Sequence, residues 1–388
     1  MNLAEKRRKI FGHLKNIAGW STDRKIIIID SDDWGSIRMP SRAAYERLLQ
    51  KGLNLNGGDG QRYSLYDTIA STDDLELLYD SLYKFKDKNN TPAVLTANSV
   101  VANPDFEKIK NADFQNYYYE PVTNTMKKYS KGKDVFRLWK EGISDNVFKP
   151  QFHGREHLNV SLWMNALIKK DKETMLAFNE GLWAFMPELY AGKGLEYEAA
   201  FQLSGISKLE KHKEIIKDGL KLFNDLFGYN ALYFVPPNGR ISNKLNAVCF
   251  DNGIRFRSVS TVQYEYNLND KTKKKYHWLG QSDKSGIKYI VRNCVFEPSR
   301  PGRDWVDSCL SDIKIAFKYG KPAIISSHRV NYIGVHDVKN RDNGLKQLNE
   351  LLTYVLKYWP DVEFMSSDKL GELIENGGRK AESNKIPS

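Results

Sequence analysis

Nowhere in its 388 residues does the chain carry a run of about 18 apolar side chains, which argues against a membrane-spanning helix. Cysteine is scarce: Cys249, Cys294 and Cys309 are odd in number and without C-x-x-C spacing, so reduced and mostly buried thiols are expected in place of a disulfide framework. The N-terminus, M-N-L-A-E-K-R-R-K-I-F-G, is basic, but no apolar stretch of signal-peptide type follows it. A cytoplasmic location is therefore the expectation, with the inner face of the membrane as a variant of it. Helix-turn-helix, zinc-finger and RNP patterns are missing, and no nucleic-acid partner is expected. The glycine-rich N-L-N-G-G-D-G at 54–60 lacks the strand and lysine of a phosphate-binding loop. Internal repeats and a dividing linker are also missing, which leaves one large α/β body as the simplest organisation.

Against these absences, charge is plentiful. Lys and Arg number 59 against 48 Asp and Glu, a net +11. This balance attracts anions, or is merely a basic surface. The cluster K-T-K-K-K at Lys271 to Lys275 lies in a polar stretch and reads as a solvated loop. Residues 3 to 20 can form a helix with Ile10, Phe11, Leu14 and Ile17 on one side and Lys6 to Lys9 nearby. Such a helix packs on the domain, or lies peripherally on a membrane surface. We therefore divide the chain into a basic helical segment, 1–24, a main body, 25–376, with an insertion at about 100–148, and a polar tail, 377–388.

The segment K-I-I-I-I-D-S-D-D-W-G, Lys25 to Gly35, begins the main body. Four consecutive isoleucines suit a strand buried on both faces. Asp30, Asp32 and Asp33 arrive where that strand runs out, the end at which α/β sheets build their sites. Three like charges there require a cation or a shared proton. Further strands are predicted at Thr91–Thr96, Val147–Phe152, Ala199–Leu203, Ala231–Val235, Ile254–Ser260, Ile287–Val291, Lys321–His328 and Val362–Met365. Helices are predicted between them, the clearest at Lys208 to Phe227, where Ile216, Leu220, Phe223 and Phe227 recur at helical spacing before Gly228. The alternation argues a parallel sheet, and about seven strands with helical crossovers suit a barrel.

Two more segments carry chemistry. In P-Q-F-H-G-R-E-H, His153 and His157 stand at i, i+4, a spacing that puts two imidazoles on one side of a helical turn. Two His and one Asp make three ligands and leave a position for water, as in catalytic zinc sites. His328 ends the strand A-I-I-S-S-H and is a candidate general acid or base, because imidazole titrates near neutrality.

Taken together, these motifs resemble the polysaccharide deacetylases of the NodB-homology type (carbohydrate esterase family 4-like). D-S-D-D-W-G at Asp30 to Gly35 is similar to the family's T-F-D-D-G, and His153–His157 to its H-x-x-x-H. F-V-P-P-N-G at Phe234 to Gly239 is similar to R-P-P-Y-G, and I-I-S-S-H at Ile324 to His328 to the segment holding the catalytic histidine. The order agrees from about residue 25 to 375. The resemblance implies an α/β fold, a distorted (β/α)7 barrel of the glycoside hydrolase/deacetylase type. It implies Asp33, His153 and His157 as ligands of a divalent metal: zinc, with cobalt, nickel or manganese as alternatives. It further implies Asp32 as general base, His328 as general acid and an acetylated carbohydrate as substrate.

Pro237, Asn238 and Arg240, in the segment after Val235, are expected at the substrate, as is Trp34 if its ring stacks on a sugar instead of packing in the core. Arg155 and Glu156 are expected to support the ligands from behind. The family arginine before Pro-Pro is Val235 here, and Arg155, Arg240 or Arg329 are the candidates to replace it beside Asp32. Three other readings compete. H-G-R-E-H also fits the inverted zinc-protease motif, which needs a regular helix with Glu156 as base. A metal-dependent glycosidase needs a second carboxylate across a sugar bond. A metal-free barrel could serve only to bind sugar.

Overall fold

A computed structural model describes residues 3–55, 60–130, 133–203, 205, 208–266 and 272–377. The polar tail, residue 271 and part of the 54–60 loop lie outside the described residues. In chain order the strands are β1 (Ile26–Trp34), β2 (Leu95–Ser99), β3 (Ala102–Pro104), β4 (Tyr119–Pro121), β5 (Phe148–Phe152), β6 (Tyr233–Phe234), β7 (Phe256–Ser258), β8 (Val262–Tyr266), β9 (Thr272–Tyr276), β10 (Lys288–Ile290), β11 (Cys294–Val295), β12 (Ala323–His328) and β13 (Glu363–Phe364).

The main sheet runs β10-β7-β6-β5-β2-β1-β12-β11, with β13 added against the start of β1. Its pairings are parallel throughout. Its two ends, β10 and β11, are consecutive in the chain and separated only by Val291, Arg292 and Asn293. They are the lower and upper parts of one interrupted stave: β10 pairs with β7 on one side and β11 with β12 on the other. Counted this way the sheet has seven staves and closes into the distorted (β/α)7 barrel, with the closure carried by chain continuity at the interruption.

Side-chain alternation along β1 explains its isoleucines. Ile26 and Ile28 point into the barrel, where they meet Tyr233, Phe256, Ile290, Ile324 and, from the C-terminal helix Ser367–Glu375, Leu370 and Ile374. Ile27 and Ile29 point outward into the larger core beneath the surrounding helices. All four are buried because a barrel strand has no solvent face. The same period carries Asp30 and Asp32 onto the interior face above Ile28.

Some predicted elements differ. Residues 199–203 form turns and no strand. Lys273–Lys275 belong to β9, which pairs antiparallel with β8. That hairpin buries Gln263 and sets Lys274 over the Tyr264 ring, 5.7 Å from its centroid. The alternation V-Q-Y-E-Y in the partner strand overrides the polar composition. The segment 100–148 is the crossover from β2 to β5: β3 and β4 form a small hairpin, and the helices Val122–Tyr129 and Val135–Ser144 pack Met126 and Trp139 into the main core. The three cysteines are free and buried, as expected.

Candidate metal centre

Asp32 and Asp33 are chain neighbours, and in a regular strand they would face opposite sides of the sheet. Here the register of β1 against β2 shifts between Ser31 and Trp34. Within that bulge Asp33 takes a left-handed backbone with φ 74°. A bulge re-aims a side chain, and both carboxylates line one cavity of about 580 Å³ at the C-terminal mouth of the barrel. His153, His157, Arg292 and His328 line it too. A non-glycine residue in this region carries strain, which the surrounding ion pairs hold in place.

His153 and His157 come from the loop after β5, not from a helical turn as their spacing predicted. Gly154, at φ 112°, breaks any helix there; a Cβ at that position would stand 3.0 Å from the Glu156 carbonyl oxygen. The helix starts only at Val160, capped by Asn159. The rings nevertheless lie 4.9 Å apart. Asp33 Oδ1 stands 3.4 Å from His153 Nε2 and 3.1 Å from His157 Nε2. His153 Nδ1–H donates to the Val235 carbonyl at 2.6 Å, which leaves the Nε2 lone pair facing Asp33. Burial, reinforced by the Arg38 guanidinium, pushes the His157 pKa down to about 4, so that imidazole is neutral. The Asp33 pKa falls as well, which here keeps the charge: burial resists it, but Arg38 and the two histidines hold the pKa well below the usual carboxylate range.

One ligand atom from each of Asp33, His153 and His157 lies within 4.8 Å of the others, the one such cluster found among the described residues. His153 Nε2 and Asp33 Oδ2 are buried with no hydrogen-bond partner. Two neutral-capable imidazoles and an ionised carboxylate, converging with unsatisfied buried atoms, fit a divalent metal of the zinc type.

Asp32 is held separately. Arg292 grips it with two hydrogen bonds of 2.7 Å, Nη1 to Oδ2 and Nη2 to Oδ1, and sends Nε to Asp30 Oδ2 at 2.8 Å. Asn98 Nδ2 donates to Asp32 Oδ1 at 2.8 Å and also to Asp30, and the Tyr233 hydroxyl donates to Asp30 Oδ2 at 2.8 Å. Burial opposes ionisation of Asp32, but Arg292 outweighs it and keeps the carboxyl below its ordinary pKa. Burial wins at Asp30, whose pKa is raised. Asp30, which had no role from sequence, is the buried brace that orients Arg292.

Arg292 is thus the arginine that stands beside Asp32. None of the three candidates does so. Arg155 pairs with Glu156 at 2.7 Å and with Asp218 at 2.8 Å. Arg240 pairs with Glu196 at 2.8 Å, and Arg329 with Asp67 at 2.9 Å. Arg292 reaches Asp32 from the interrupted stave, directly after Ile287–Val291; the strand-end rule applied to the aspartates and His328 would have pointed to it.

His328 faces Asp32 across the cavity, with Nε2 3.8 Å from Asp32 Oδ2. Its Nδ1–H donates to Glu297 Oε1 at 2.5 Å. Burial works against a charged ring, but Glu297 more than compensates and lifts the His328 pKa to about 9. Glu297 is itself fixed by Arg62 Nη1 at 2.7 Å and Asn331 Nδ2 at 3.0 Å. Nothing in the local sequence marked Glu297, because it follows β11, a strand of only two residues.

The other expected substrate residues divide. Asn238 lines the cavity. Pro237 is buried behind it, beside Gly154. Arg240 lines a smaller neighbouring groove instead. Trp34 is 1 % exposed and stacks edge-on against Trp139 and Phe148, with its Nε1–H on Ser31 Oγ at 3.0 Å. It packs the core and offers no face to a sugar, a correction that follows from its position just past the bulge. Glu156 is locked by Arg155 outside the cavity, and the helix that the inverted protease motif needs is not formed.

No family model matches the chain, and no curated protein matches it. Solved structures do. A Mycobacterium smegmatis protein named as a polysaccharide deacetylase is similar at 9 % identity and TM-score 0.43, covering 96 % of this chain and 97 % of its own. Peptidoglycan deacetylase PdaC from Bacillus subtilis is similar at 9 % identity and TM-score 0.34, over 92 % and 93 %. A carbohydrate esterase family 4 pseudoenzyme from Bacillus anthracis is similar at 10 % identity and TM-score 0.33, over 90 % and 66 %.

Proposed function

We propose that this protein is a metal-dependent deacetylase that hydrolyses an acetyl group, N-linked, from a sugar or a polysaccharide precursor. The observation that carries this reading is the cavity's division of labour. An Asp-His-His cluster fit for a metal lies beside an ionised carboxylate, and a protonated imidazole stands 3.8 Å from that carboxylate.

A divalent metal held by Asp33, His153 and His157 supplies Lewis-acid polarisation of the acetyl carbonyl and a lowered pKa for water. Asp32, oriented by Arg292, takes a proton from the attacking water. His328, protonated at neutral pH through Glu297, gives its Nε2 proton to the departing sugar amine as the C–N bond breaks. Products are acetate and the free amine. Arg292 holds Asp32 in one orientation, so little reorganisation is needed as charge moves. Asn238, in the cavity wall, is the side chain proposed to contact the sugar.

Two alternatives weaken on particular residues. A glycosidase needs a second free carboxylate, but Glu198, the further acid at this cavity, is paired with Arg38 at 3.1 Å. A non-catalytic barrel was motivated by the missing family arginine, and Arg292 removes that motive. The test is a metal-supplemented acetate-release screen over nucleotide-linked and lipid-linked N-acetyl sugars and soluble chitin oligomers, with elemental analysis of the same preparation. Acetate release from the precursors with about one metal per chain supports the reading. A preparation that binds no divalent metal stoichiometrically overturns it.

A further inference from the structure

The N-terminal helix Leu3–Lys15 is amphipathic in the wrong sense for a helix packed on a barrel. It docks through polar groups. Arg8 Nη1 meets Asp312 Oδ1 at 2.8 Å, His13 Nδ1 lies 3.1 Å from the Tyr319 hydroxyl, and just past the helix Asn16 Oδ1 accepts from Asn293 Nδ2 at 2.9 Å. Gly12 faces Ile315, where a Cβ would stand in ordinary contact at 3.5 Å. Of the described apolar side chains, Ile10 is 61 %, Phe11 50 % and Leu14 59 % exposed, as is Ile17, just past the helix, at 61 %. Four such residues within eight positions form a continuous apolar strip, which soluble surfaces rarely show without a partner.

We propose that this strip docks in the plane of an anionic phospholipid bilayer. The charge of the segment selects that occupant. Besides the docked Arg8, its sequence carries Lys6, Arg7, Lys9 and Lys15 against a single acid, Glu5, within a chain of net charge +11. Apolar residues with a basic run are the composition of helices that lie at the headgroup boundary, held by buried apolar area and by anionic lipid together. No helix in the described residues is long and apolar enough to cross a membrane, so the strip would lie on the surface. Because the docking groups are polar and separate from the strip, lipid contact leaves the helix–barrel contacts in place. The helix also runs in the same direction as Trp305–Lys318, since Arg8 meets Asp312 and His13 meets Tyr319. That neighbour follows β11, whose Val295 lines the catalytic cavity. The start of the helix therefore lies toward the cavity end of the barrel.

The test is sedimentation of the full chain with vesicles of phosphatidylcholine alone and of phosphatidylcholine mixed with phosphatidylglycerol. The native chain should bind the mixed vesicles, and added salt should weaken it. The triple variant Ile10→Ser, Phe11→Ser, Leu14→Ser should lose about tenfold or more in affinity with an unchanged circular dichroism spectrum. The pair Lys6→Glu, Lys9→Glu should lose the preference for the anionic mixture. Equal binding by native and triple-variant chains overturns the proposal, as does failure of the native chain to bind either vesicle. Self-association of the native chain that the triple variant abolishes, without vesicle binding, overturns it in favour of a second copy as occupant.

Discussion

Asp32 and Asp33 are adjacent in the chain, alike in side chain and buried in one cavity, yet their surroundings differ. Asp33 has its Oδ1 turned to two imidazoles and only an ion pair, Arg38 at 3.5 Å, on its other oxygen. Asp32 has both oxygens clasped by Arg292 and faces neither imidazole of the metal cluster but His328, 3.8 Å away. The difference teaches that a carboxylate's role is set by which oxygen lone pairs remain free. In the proposed reaction Asp33 turns Oδ1, beside the two imidazoles, to a cation, while Asp32, held by Arg292, receives the proton.

The comparison breaks most severely on the Asp33 side. His153→Ala should abolish stoichiometric metal by elemental analysis and reduce acetate release on the order of a thousandfold or more, with the fold retained. On the Asp32 side, Arg292→Ala leaves two buried carboxylates without their cation, and denaturant unfolding should show a loss of about 3–5 kcal/mol. Arg292→Lys should keep more stability but lose the two-point grip. The Asp32 pKa then rises toward its ordinary value, and the acid limb of the rate profile moves to higher pH while metal content stays intact.

A third change sharpens the acid partner. Since His328 titrates at about 9, it is the protonated ring that the native fold favours. Its contribution to stability is complete below the ordinary imidazole pKa, about 6.5, and is lost as pH rises through about 9. Activity that needs the His328 proton should fall over the same alkaline range. In Glu297→Gln that fall should begin at lower pH, read from kcat against pH, with the acid limb unmoved. The smallest effect concerns Trp34. Trp34→Phe should cost about 1–2 kcal/mol of stability and leave KM nearly unchanged, because the ring packs against Trp139 and Phe148; a large rise in KM would restore it to the substrate.

Much of the site was legible because its signals are local. I-I-I-I followed by D-S-D-D announces a buried strand that ends in charge, H-x-x-x-H announces paired imidazoles, and S-S-H announces a strand-end histidine. The partners of these groups were not legible. Arg292 is separated from Asp32 by 260 residues and Glu297 from His328 by 31, and each is a single charged residue with no motif around it. Likewise K-T-K-K-K reads as a loop until its cross-strand partner is known.

By itself, the sequence determined the two-residue period that puts Ile26, Ile28, Asp30 and Asp32 on one face, because side-chain alternation is a property of any strand. It also determined which residue types could bind metal or move a proton. Only the tertiary structure decided that Asp33 leaves that period, through the bulge and its left-handed backbone, and so joins His153 and His157. It alone decided that an arginine from the interrupted stave, Arg292, reaches Asp32. Both decisions rest on long-range packing: closing the barrel brings strand ends together in space, and no local pattern encodes which of them will meet.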